Sequence, residues 1–152
     1  MRHKRLLGLA VLATILGMGH HLDHAVRGNH VGWPLTGDVT PFTYSFGFYP
    51  LILAGFYLLI KGKDGPGFWA VLTGAGVLFV GPTHFGPFAA EPPEDIVGVY
   101  ASPIGGWAAL GLLVAFLVVL ACTSLYGTYL WARRRNAIQP GGSQAARKNN
   151  LP

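Results

Sequence analysis

At 152 residues, with 51% hydrophobic and 11% charged side chains and a mean hydropathy of +0.42, the chain carries less than half the charge, about 25%, of a typical soluble domain. That balance excludes an ordinary water-soluble globule. The net charge of +5 does not indicate nucleic acid, because the basic residues flank long apolar blocks, where they set membrane orientation. A single cysteine, Cys122, excludes an intrachain disulfide and any CxxC motif, and reads as a small buried apolar residue.

In chain order, four blocks approach the ~20 residues that an α-helix needs to cross a hydrocarbon core of about 30 Å. They run over about 6–25, 42–60, 68–88 and 104–131. The expected fold is therefore all-α, a polytopic four-helix transmembrane bundle of up-down topology over residues 1–135, with 136–152 a disordered cytoplasmic tail. The basic start and first apolar run look like a secretory signal, but Gly17-Met18-Gly19 is a poor cleavage site, and retention is expected.

Ten of the eleven basic residues lie before the first block, between the second and third, or after the fourth; only Arg27 lies on the other side. The positive-inside rule then places both termini in the cytoplasm of a bacterial-type plasma membrane. Asp23, Asp38, Glu91, Glu94 and Asp95 lie at the opposite, outer ends, with only Asp64 inside. KGKDGPG reads as a turn, with Pro66 opening the third helix. Pro50 reads as a mid-membrane kink, and Tyr44, Tyr49 and Tyr57 as packing or belt residues.

The chemistry concentrates in GHHLDHAVRGNH, residues 19–30. On a helix, His20, His21 and His24 fall within one 100° arc, His20 and His24 one turn apart, and Ala13 and Gly17 share that face. Small residues at four-residue spacing let a transmembrane helix approach its neighbours, so the histidine face is expected to look into the bundle. In the third block, GPTHFGP carries His84 between Pro82 and Pro87, where a kink or break should expose an irregular backbone to a buried or wet mouth. Two outer loops, stiffened by proline, supply His30, Asp38, Glu91, Glu94 and Asp95.

Neutral imidazoles with nearby carboxylates form the donor set of a transition metal, here Zn, Fe or Cu. The expected ligands are His20, His24 and His84, followed by His21 and His30, with Asp23, Asp38 or Glu94 as general base if the centre is catalytic. An enzyme acting on a lipid-like or small apolar substrate is one reading. Others are a metal-binding or sensing protein, a non-catalytic subunit of a larger membrane complex or a homo-oligomer, a merely interfacial cluster with Arg27 paired to Asp23, and a bis-histidine haem. HHLDH reverses the HxxHH order of the histidine boxes of membrane desaturases and hydroxylases, so the pattern assigns no family. No GxSxG, P-loop or GxGxxG after a strand supports hydrolase or nucleotide chemistry of those kinds.

Overall fold

A computed structural model describes residues 3–27 and 44–138. Its helices are α1 (Lys4–Arg27), α2 (Phe48–Ile60), α3 (Gly65–His84), α4 (Pro93–Gly98) and α5 (Pro103–Ile138), and no strand occurs among the described residues. Three of them, α1, α3 and α5, are long and apolar enough to cross a membrane. Their flanks agree: Leu22, Val26, Leu78 and Leu125 are all more than 60% exposed, an apolar exterior that suits lipid and not water.

The second block departs from expectation. Its helix has 13 residues, about 20 Å at 1.5 Å per residue, against a core of about 30 Å. Residues 42 and 43 lie outside the described residues, and Phe46–Gly47 form a turn before α2 begins. Pro50 consequently falls in the first turn of α2, where its missing N–H leaves no helical bond unmade, and it is no mid-span kink. Helix α5 continues through Asn136–Ile138, residues expected in the tail.

The turn between α2 and α3 follows from glycine. Gly62 is left-handed (φ 66°), and the amides of Gly62 and Lys63 return to the carbonyls of Leu59 and Leu58, the bond pair of a Schellman motif. Pro66 opens α3, as its sequence position predicts. Around this turn the cations meet aromatic rings and one another's backbone. Lys63 Nζ is 5.7 Å from the Tyr57 ring, Arg135 lies 4.5 Å from the Trp131 ring, and Arg134 donates to the Lys63 carbonyl at 3.2 Å. The basic end of the bundle is thus one surface.

Packing is most extensive between α3 and α5, then between α1 and α5; α2 leans on α3 and touches α1 only lightly. Small residues permit these approaches. A methyl on Gly127 would stand 2.8 Å from the Pro66 carbonyl oxygen, so α3 and α5 meet backbone to backbone there, and Ser124 Oγ adds a 2.8 Å bond to the Ala70 carbonyl. Leu6 and Ala10 of α1, Leu59 of α2, and Trp69 and Leu72 of α3 form the buried core at the basic end. Cys122 is exposed on the flank of α5, not buried, because its helix presents that face outward.

Gly127→Ala should therefore lower stability by about 1–3 kcal/mol through the α3–α5 clash. Gly111→Ala, where a methyl meets nothing within 4 Å, should be neutral or raise stability by up to about 1 kcal/mol. Thermal unfolding of both variants in detergent checks the pair; equal midpoints would refute close backbone contact.

Candidate metal centre

At the end of the bundle opposite the basic surface, α1 presents His20 and His24 from successive turns and α3 presents His84 from its last residue. All three are buried, at 6%, 4% and 1% exposure. Their ring centroids form a closed triangle of 4.6 Å (His20–His24), 5.1 Å (His20–His84) and 5.7 Å (His24–His84). One nitrogen from each lies within 4.8 Å of the others. Nitrogens at that limit would share a centre about 2.8 Å from each, against 2.0–2.1 Å for a Zn–N bond, so closure onto an ion asks at most about 0.7 Å of each ring.

The orientation of His84 comes from the chain that follows it. Phe85 is extended, Gly86 takes φ 129°, and the Glu91 amide donates to the Thr83 carbonyl at 3.0 Å, folding residues 85–91 back over the end of α3. His84 Nδ1 then donates to the Glu91 carbonyl at 3.0 Å, which assigns the lone pair to Nε2. The Glu91 side chain is equally buried, at 1% exposure, and its Oε2 lies 3.4 Å from His84 Nδ1 and 3.5 Å from His24 Nε2. A carboxylate in that position accepts from an imidazole N–H or turns onto a shared cation. Glu91 is the residue that sequence reasoning did not select.

The remaining candidates are placed differently. His21 points across to α2 and the residues just before it, its Nδ1 2.6 Å from Tyr49 Oη of α2 and its Nε2 2.8 Å from Ser45 Oγ, three residues ahead of that helix. That ring joins two helices that otherwise hardly touch, and it stands outside the triad. Asp23 accepts from Tyr100 Oη, linking α1 to the segment between α4 and α5. Glu94 is exposed in the first turn of α4. His30 and Asp38 lie outside the described residues.

Beneath the triad is a partly open cavity bounded by α1, α2, α3 and α5, in which the centre of a water molecule has about 90 Å³ to move. Its wall includes Ala13, Gly17, Ile52, Leu72, Phe79 and Phe116. Thr14 and Thr73 also line it, but their hydroxyls donate to Ala10 and Trp69 carbonyls one turn back, at 2.8 and 2.6 Å. They therefore show mainly methyl groups to the space. The imidazoles, Ser45 and Tyr49 gather at the opposite end from Trp69.

Such an arrangement can hold one small cation on three nitrogens, with an apolar space against it. The rings crowd a single focus, whereas two axial ligands of a haem need a clear planar slot between them. His21→Ala should remove the bonds to Tyr49 of α2 and to Ser45 just ahead of it, lowering stability by about 1–3 kcal/mol while leaving the triad's residues in place; an unaltered melting temperature would show that this link contributes nothing to stability. Comparison with protein-family models, with characterised proteins and with solved structures finds no match to the chain.

Proposed function

We propose that this chain is an integral membrane metalloenzyme, holding a Zn, Fe or Cu ion on His20, His24 and His84 at the extracytoplasmic end of its bundle and acting on a lipid-like substrate. The observation that carries the reading is the convergence of three buried imidazoles from two helices, with their nitrogens within 4.8 Å of one another. Burying three imidazoles and a carboxylate among apolar helices is expensive unless the groups pair or coordinate, and here they both contact one another and converge on a single point. A divalent ion at that point would use neutral imidazole as ligand with a carboxylate beside it.

Three histidine ligands leave a coordination position for water or substrate, the pattern of catalytic and not of structural zinc. The apolar cavity borders that position. A bound ion would activate a water or polarise a substrate oxygen there, and the low-dielectric wall would strengthen its field. Glu91 holds His84 and His24 in register from the side away from the cavity, as carboxylates and carbonyls do for metal-bound histidines. Orientation follows from charge: the basic surface around Lys61, Lys63 and Arg133–Arg135 faces the cytoplasm, and the triad faces outward.

The purified protein should retain about one metal ion per chain by elemental analysis, and the double variant His20→Ala/His24→Ala less than a tenth of that, with insertion intact. Equal metal in both would remove the site. Glu91→Gln should weaken metal affinity about 10–100-fold if the carboxylate only orients the rings. A loss as deep as that of the double variant would make Glu91 a fourth ligand, close the shell and favour a structural or binding role over catalysis.

A further inference from the structure

The cavity is long for its volume. On α1 its wall runs from Ala13 to His24, about 17 Å at 1.5 Å per residue, and on α3 from Trp69 to His84, about 22 Å. The centre of a water molecule has about 90 Å³ to move in, and that space spread over such a length is a bore about one methylene chain wide and not a chamber. Its imidazoles, Ser45 and Tyr49 gather at one end; at the other, the buried Trp69 Nε1–H, which has no hydrogen-bond partner among the described residues, lies against Gly55 of α2. The threonine hydroxyls along it are committed to their own helices, so between Ala13 and Gly17 it offers only methyl, methylene and aromatic surface.

From this shape we infer that the tube binds one straight fatty acyl chain, tail toward Trp69 and carboxyl or ester oxygen at the histidine end. The inference deepens the metalloenzyme reading, on which its placement of the head group rests. A narrow apolar bore rejects a rigid fused-ring molecule, and a tube with its imidazoles at a single end matches a molecule with a single polar end. The surroundings provide the entry. Helices α1 and α2 both line the tube yet pack on each other only lightly, and the outer faces beside this seam, Val11, Met18 and Leu53, are exposed apolar surface. A bilayer chain lying along these helices would move sideways into the tube without leaving an apolar medium, its ester remaining at the level of the membrane surface. An oxygen so held reaches the position that three histidine ligands leave open.

The test is a titration of the purified full chain, in a steroid-type detergent free of acyl chains, with all-trans parinaric acid, a straight chain whose fluorescence rises in a dry apolar site. Saturation at one per chain is expected, with displacement by hexadecanoic acid and none by a fused-ring apolar competitor such as pyrene. Ala13→Phe, which fills the bore, should weaken binding at least tenfold while metal content is unchanged; Ile52→Trp narrows the same bore from α2 and serves if the first variant does not fold. Absence of saturable binding, equal displacement by pyrene, or indifference to a folded bore variant overturns the proposal. Protein loaded with Co(II) reports the head group separately: hexadecanoic acid should shift its visible bands and hexadecane should not. Identical spectra would overturn the placement of the carboxyl at the histidines. Failure to retain any metal while one parinaric acid still binds and responds to Ala13→Phe would refute the metal centre and leave the tube.

Discussion

A carboxylate and three imidazoles are held out of water inside an apolar bundle, and the rest of the structure is arranged around satisfying them. Each group alone would be costly to bury, an ionised carboxylate most of all. Together they answer one another: the Glu91 backbone takes the His84 N–H, its side chain lies within 3.5 Å of two rings, and the third ring closes the triangle. Such a network is strong only when complete. The protein therefore has to place residues from α1, the end of α3 and the segment beyond it with little play.

The backbone devices that do so are local and identifiable. Glycine at 127 lets α5 lie directly against α3, and at 106 a methyl would fall 2.5 Å from the Val97 carbonyl oxygen, so α4 is seated tightly on the start of α5. Gly86, at φ 129°, turns the chain after His84 in a conformation that L side chains rarely adopt. The return of Glu91 onto Thr83 depends on that turn. Tyr100 on Asp23 then fastens the far side of the same segment to α1. The mouth is thus tied at both of its edges.

How much of this was legible beforehand differs residue by residue. Three long apolar helices, their order and the basic end follow from hydropathy and charge, which depend on the bilayer alone and not on tertiary detail. His20 and His24 were readable because four-residue spacing puts them on the face that carries Ala13 and Gly17, and His84 because two prolines bracket it. Glu91 was one of five outer carboxylates with nothing local to distinguish it; its burial is created by a backbone bond to Thr83, eight residues away, across an irregular segment. Helix α2 was overestimated because its apolar composition continues across Phe46–Gly47, where the backbone turns. His21 was grouped with the ligands because an arc of 100° is wide enough to face two neighbours at once.

That last difference explains why two adjacent histidines do different work. A step of 100° between His20 and His21 is the angle between looking at α3 and looking at α2 from the same rung of α1. His20 joins the triad; His21, between Tyr49 and Ser45, supplies polar bonds at the upper end of a seam that apolar packing leaves almost open. In lipid, apolar contact between helices has little advantage over contact with acyl chains, so hydrogen bonds and close small-residue packing set which faces stay together. The α3–α5 contact has the small residues, and the α1–α2 contact has His21. A helix pair held at one end and loosely packed below is able to part for an entering chain without unfolding. The same histidine-rich turn thereby fixes the polar focus and leaves the wall beneath it free to open.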